Sequence, residues 1–237
     1  MNKKINSISV TATAVIVFVT WKIIDDIDLS IIQNKSLQFI VKIFIEAVFA
    51  TGFFNLVIEG VTYLSNKVNW LKKIVLGSSY IDGVWVGFYR RSRKEGDPLE
   101  PIIFYERVEQ TVNLVSFTGR ACYLKDWSFR SRYTGESVTF YNENSTIVYI
   151  FNANIPDAMQ VTAFGNFTVD RFTKDSAPYR MEGYCLNIGE SCWQKYVKVK
   201  LSDDYQKKER QDIFRKAIEI YEKETGDTVE LPSIFES

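Results

Sequence analysis

The sequence predicts an N-terminal two-helix transmembrane hairpin followed by an all-β antiparallel closed barrel of about eight strands, with a C-terminal helix. Three observations predict this. Residues 8–24 and 37–64 are apolar stretches that approach or exceed the roughly 20 residues needed to cross a bilayer core. From about residue 79 onward, short runs of alternating apolar residues recur with turn signals between them. No helix-period segment interrupts those runs, which argues against parallel βαβ units. The chain therefore divides into a membrane anchor, 1–70, and a soluble domain, 71–237.

The first span follows Lys3 and Lys4, like the basic start of a signal peptide. No small-residue cleavage site closes it, and Trp21, Lys22 and Ile23 stand there instead, so it reads as an uncleaved signal anchor. Ser9, Thr11 and Thr13 beside Ala12 and Ala14 either allow close helix approach or bond their own backbone. The connection at 25–36 holds Asp25, Asp26 and Asp28 against Lys35 alone. Lysines return at Lys67, Lys72 and Lys73. Basic residues mark the cytoplasmic side, so both termini and the soluble domain are expected in the cytoplasm.

The second span carries Lys42 and Glu46, one helical turn apart on one face. Charges at membrane depth are expensive and face protein or water, so one reading is an intramembrane pair that helps helices associate or lines a pore, which makes Lys42 and Glu46 first candidates for the membrane-effector role that the resemblance named below implies. The other reading is a snorkelling Lys42 with Glu46 following it. Gly52, Asn55, Glu59 and Gly60 suggest contact with another helix.

Candidate strands in the soluble domain are 80–91, 102–110, 111–123, 127–133, 137–141, 146–152, 160–172, 179–187 and 193–201. Turn chemistry separates them, as at Glu95-Gly96-Asp97-Pro98, Thr134-Gly135 and Asn142-Glu143-Asn144. Eight or nine successive antiparallel strands imply a closed barrel or a sandwich. In the first strand Ile81, Gly83, Trp85, Gly87 and Tyr89 share one face, against Val84, Val86 and Phe88. In 160–172, Thr162, Asn166 and Asp170 share a face with Phe164. Such mixed polar and aromatic faces suit a lumen with an amphipathic ligand, since eight strands leave room for one small molecule or none. The tail returns to helical period, with Ile213, Phe214, Ala217, Ile218 and Tyr221 in one stripe. Ser202 or Asp203 can cap this helix, and Gly226 ends it.

The chain contains no histidine, which removes Ser-His-Asp and Cys-His catalysis and histidine-ligated zinc. Cys122, Cys185 and Cys192 have no zinc-type spacing and read as packed thiols. No P-loop or dinucleotide fingerprint occurs. A catalytic role, a metal and a cofactor are not expected. Net charge is zero, so no basic field predicts DNA or RNA as a partner. The stretch Phe117–Tyr123, then Arg130, Arg132 and Tyr133, interleaves arginines with aromatics that can stack bases and pair with phosphates. On 127–133 the default sets Arg130 and Arg132 outward; turned inward they would form an anion-binding lumen.

Gly83-Val84-Trp85 resembles the Gly-x-Trp start of lipocalin-like barrels. The whole arrangement resembles the two-transmembrane β-barrel effectors of bacterial CBASS anti-phage signalling, the CD-NTase-associated protein 15 type. The resemblance rests on the two spans, Gly83-Val84-Trp85, Gln110, the 117–123 run, Tyr149 and Phe164-Gly165-Asn166-Phe167. It implies a barrel that binds a cyclic dinucleotide, self-association of the hairpins in the bacterial inner membrane, loss of membrane integrity and abortive infection. The expected partners are then the cyclic dinucleotide, the lipid bilayer and further copies of the chain. The ligand residues expected are Trp85 and Tyr105 for stacking, Arg120 and Arg132 for phosphate, Gln110 for a base edge, and Tyr80, Tyr123 and Tyr149 around them. The alternatives are a membrane-tethered barrel adaptor or an enzyme without a cyclic-nucleotide ligand.

Overall fold

The structure, a computed structural model, describes residues 3–25, 34–91, 99–141, 145–156, 160–188, 193–203 and 210–229. It comprises two compact units that meet in sequence at Leu76 and Gly77. Among the described residues the first holds three helices: α1 (Lys3–Asp25), α2 (Lys35–Lys67) and α3 (Asn69–Leu76). The boundary falls after residue 70 because α3 adds a short amphipathic helix to the anchor.

Asn34 caps α2, its side chain accepting from the backbone N–H groups of Ser36 at 2.9 Å and Leu37 at 3.3 Å. Among the described residues α2 is the one helix long and apolar enough to cross a membrane. The apolar part of α1 is shorter, Thr11–Ile23, so the predicted pair of spans reduces to one helix of spanning length and a shorter companion. The two lie against each other, with Ile16, Thr20 and Ser65 buried. Lys42 and Glu46 are half-buried, as is Gln38 one turn before them on α2. Gly52, Asn55, Glu59 and Gly60 are exposed, and a methyl group at either glycine would meet nothing within 4 Å. Those residues therefore make no close helix contact among the described residues. The acidic connection, with Asp26 and Asp28, lies outside the described residues.

The second unit is a closed antiparallel barrel in the order β1-β2-β3-β4-β5-β6-β7-β8. Its strands are β1 (Gly83–Arg91), β2 (Glu100–Gln110), β3 (Val115–Tyr123), β4 (Phe129–Tyr141), β5 (Thr146–Asn154), β6 (Val161–Asp170), β7 (Arg180–Asn187) and β8 (Trp193–Ser202). Closure removes both sheet edges, and β1 pairs with β8 to complete it. The predicted strands 127–133 and 137–141 are a single strand. Thr134-Gly135 is not a turn: the register against β5 shifts by one residue between Thr134 and Ser137, a bulge that bends β4 without ending it.

Two cores share the wall of the barrel. Trp85, Tyr89, Phe104, Phe117, Tyr133, Ile147, Tyr149, Phe151, Phe167 and Met181 fill the lumen. The second core lies outside, where Val84, Val86, Phe88, Ile103 and Val197 meet Ile213, Phe214, Ala217, Ile218 and Tyr221 of α4 (Arg210–Thr225). The two faces predicted for the first strand thus go to different cores. α4 begins at Arg210, with 204–209 outside the described residues, and ends at Gly226, whose φ of 77° suits glycine.

Candidate functional site

Where the chain enters the barrel, it is sewn shut. Gln110 accepts from the Ile81 N–H at 2.7 Å and donates through Nε2 to the Ser79 carbonyl at 2.8 Å. The Trp85 indole donates to the Ile81 carbonyl at 2.8 Å, and Arg171 donates to the Ser78 carbonyl at 2.9 Å. Tyr80 is fully buried, with Lys200 4.3 Å from its ring centre. Burial, followed by the nearby carboxylates of Asp203 and Asp82, pushes the Tyr80 phenol up. Tyr80, Trp85 and Gln110, expected as ligand contacts, thus hold and plug the entering segment. A ligand at this end would have to displace several buried hydrogen bonds, each costly to leave unmade.

At mid-lumen sits a buried ion pair, Lys198 Nζ to Glu106 Oε1 at 2.8 Å, with side chains 2% and 5% exposed. The Lys198 ammonium also donates to the Tyr149 hydroxyl and lies 4.7 Å from the Phe167 ring centre. Tyr149 and Phe167 stack at 4.9 Å. Gly87, opposite Lys198 across the strand pair, leaves the space the lysine occupies. Burial pulls the lysine pKa down, against the opposing pull of Glu106. Burial first, and then Glu106, push the Tyr133 phenol well up.

Toward the far end the lumen narrows to a cavity of about 40 Å³, lined among others by Tyr89, Arg91, Arg130, Ser131, Tyr133, Asn187, Gln194, Tyr196 and Lys198. At ~10–15 Å³ per water this is room for about three waters, far below the ~300 Å³ of a small-molecule pocket. The expected hollow lumen is therefore corrected: eight strands bring the walls close enough for aromatic side chains to fill the interior. The far end is nevertheless unlike the rest of the core. Arg130 is 7% exposed and Gln194 5%, and Arg130 Nε and Gln194 Nε2 have no hydrogen-bond partner among the described residues. Tyr89 and Tyr196 stack at 4.3 Å beside them, and the Arg130 guanidinium lies 5.9 Å from the Tyr123 ring centre.

Arg130 reaches this position through a bulge. Ala121 pairs with Ser131 and Cys122 with Phe129, so Arg130 is the extra residue on β4. A bulge re-aims a side chain, and here it turns inward an arginine that strict alternation would turn outward. Arg120 and Arg132 keep the alternation and stand on the outer face with Tyr105, whose ring packs edge-on against Phe214. Their expected role as lumenal phosphate ligands is corrected by this placement. Tyr105 likewise cannot stack a lumenal base. Tyr123 and Tyr149 do face the lumen. The predicted mixed face of 160–172, with Thr162, Phe164 and Asn166, points away from it, and Val161, Ala163, Gly165, Phe167 and Val169 face in.

Sequence reasoning missed Gln194, Lys198 and Glu106 as lumenal groups. Lys198 sits in a Val-Lys-Val-Lys run that reads by default as lysines outward. The valines turn outward instead because α4 covers them. Cys122 and Cys185 are buried free thiols, and Cys192 lies outside the described residues. Among the described residues no group of three histidine, cysteine or acidic side chains could hold a metal ion. No family model and no curated protein matches this chain.

Proposed function

We propose that this protein is a membrane-anchored receptor whose barrel takes a planar, anionic ligand of the cyclic-dinucleotide class at its far end and passes occupancy to the helical unit. The carrying observation is the pair of nine-tenths-buried, partnerless donors, Arg130 Nε and Gln194 Nε2, beside the stacked Tyr89 and Tyr196. An unpaired buried donor costs about 1–3 kcal/mol, which an acceptor on the ligand recovers. Tyrosine faces stack bases at about 1–3 kcal/mol each. The small cavity requires the far-end aromatics to swing aside for a ligand of this size. Binding then selects a different barrel conformation, and a ligand changes an equilibrium only through such a difference between states.

In this reading α1 and α2 are a two-span hairpin in the bacterial inner membrane, with both termini and the barrel cytoplasmic. The spanning-length α2 supports the membrane placement. Ligand-driven self-association of the hairpins disrupts the membrane in abortive anti-phage defence, as in the CBASS effectors this chain resembles, and the protein is a receptor and effector without catalysis. Lys42 and Glu46, half-buried on α2, are the residues through which packing of the helices changes.

A second reading is a tethered barrel adaptor with no small ligand, favoured by the nearly filled lumen. Thermal unfolding of the full chain in detergent against a cyclic-dinucleotide panel separates the two. A ligand at a hundred times its Kd adds about 2.7 kcal/mol, or roughly 5–11 °C for a domain of this size. Arg130→Ala and Gln194→Ala should abolish that shift, and Lys42→Ala with Glu46→Ala should keep it while removing toxicity in cells. No shift with any member of the panel favours the adaptor.

A further inference from the structure

The outer wall of the barrel carries a second polar recess that the lumenal reading leaves unused. It has a volume of about 200 Å³ and is lined by Tyr105, Arg107, Thr118, Gly119, Arg120 and Arg132. At ~10–15 Å³ per water, that is room for on the order of fifteen waters, several times the lumenal cavity. Register explains why three guanidinium groups converge there. Tyr105 pairs with Arg120, and Arg120 pairs with Arg132 on the next strand. Arg107 lies one outward position along β2 from Tyr105, paired with Thr118.

Directly opposed side chains on neighbouring strands stand about 5 Å apart at Cβ, and like charges placed so destabilise a sheet. Neither the Arg120 nor the Arg132 guanidinium has an ion-pair or hydrogen-bond partner among the described residues. Arg107 does pair with Glu109 at 2.7 Å, but both are well exposed at 43% and 60%, where such a pair is worth little. The floor of the recess is firm. Tyr105 packs edge-on against Phe214 of α4 at 5.9 Å between centroids, and Trp127 packs on the same ring at 6.1 Å. A fixed floor under opposed guanidinium forks is the arrangement that recognises tetrahedral oxyanions by paired N–H donors.

We infer that this outer recess is a phosphate-binding site, with Arg120 and Arg132 as the paired forks and Arg107 at its edge, occupied by a phosphate group of a soluble molecule or of a lipid head. The site is separate from the lumen and does not depend on the receptor reading.

The test uses the full chain in phosphatidylcholine nanodiscs, with unfolding temperature followed at matched ionic strength. Titration with inorganic pyrophosphate should raise it saturably. Arg120→Gln with Arg132→Gln should raise the starting unfolding temperature, by relieving repulsion, and weaken pyrophosphate at least roughly tenfold. Arg120→Lys with Arg132→Lys keeps the charge without the fork and should weaken it by less than the glutamine pair does. In a parallel arm, phosphatidylglycerol nanodiscs replace pyrophosphate. An arginine-dependent rise there alone assigns the phosphate to a lipid head, and a rise with pyrophosphate assigns it to a soluble molecule. No arginine-dependent change in either arm, or equal responses of wild type and the glutamine pair, overturns the site.

Discussion

Replacing Lys198 by Met takes away the one cation paired with the buried Glu106 side chain among the described residues. In the native lumen the two groups sit 2.8 Å apart with side chains 2% and 5% exposed. The remaining neighbour, the Tyr133 hydroxyl, stands 3.5 Å from Glu106 Oε2, at the outer limit of a hydrogen bond. Breaking one side of a buried pair costs about 3–5 kcal/mol, because the survivor keeps its desolvation penalty and loses its compensation. At about 2–4 °C per kcal/mol for a domain of this size, Lys198→Met should lower the unfolding temperature by roughly 6–20 °C. Replacing both partners removes the penalty as well as the attraction. Lys198→Met with Glu106→Leu should therefore recover most of the loss, or exceed the wild type, since an apolar pair of similar volume is often neutral or stabilising by about 1–4 kcal/mol. The assay is thermal unfolding of the full chain in detergent, followed by the β-sheet circular dichroism signal, for the wild type, both single variants and the double variant. A single-variant loss below about 1 kcal/mol, the size of an exposed pair, would refute the reasoning. So would a double variant as unstable as Lys198→Met.

Two other perturbations test the packing around this pair. Gly87→Ala places a methyl group against the Val197 carbonyl and the Lys198 Cα, backbone atoms of β8 that cannot rotate away. It should cost about 1–3 kcal/mol in the same unfolding assay, and a change within about 0.5 kcal/mol would mean the strands separate more easily than described. Alkaline titration probes the lumenal tyrosines. Burial raises the Tyr89, Tyr133 and Tyr196 phenols. Their contribution is complete below the unfolded tyrosine pKa near 10 and is lost as pH climbs from there through the folded values. Lys198, with a lowered pKa, acts in the opposite sense, whereas the raised Tyr80 phenol and Cys185 thiol act in the same sense as the three tyrosines, so stability should fall above about pH 10. Tyrosinate absorbance should then rise together with loss of the sheet signal, whereas ionisation of all the tyrosines in a still-folded barrel would contradict their burial.

Much of the architecture was legible before any coordinates, for local reasons. Period-two alternation marks Trp85 and Tyr89 against Val84 and Val86, and the missing helical period between strands excludes crossover connections. The tail stripe from Ile213 to Tyr221 has the spacing of a helix laid on a surface. Where prediction broke, a non-local event intervened. Thr134-Gly135 has the composition of a turn, yet β5 continues alongside and converts it into a bulge. Arg130 and Arg132 share parity in the sequence, yet the extra residue against β3 sends one inward and leaves the other outside.

The chain alone determined that an apolar helix of spanning length precedes a run of antiparallel strands, because hydrophobic length and residue period are written in adjacent residues. It also determined that histidine chemistry is absent. Only the closed barrel decided which alternating face became the lumen, because the choice depends on where α4 lies and not on either face by itself. With α4 over Val197 and Val199, Lys198 has no route to solvent and must find Glu106 from a distant strand. The same closure sets Arg120 beside Arg132 on the outer wall and draws Arg130 into the core, through strand pairing that residue order does not specify.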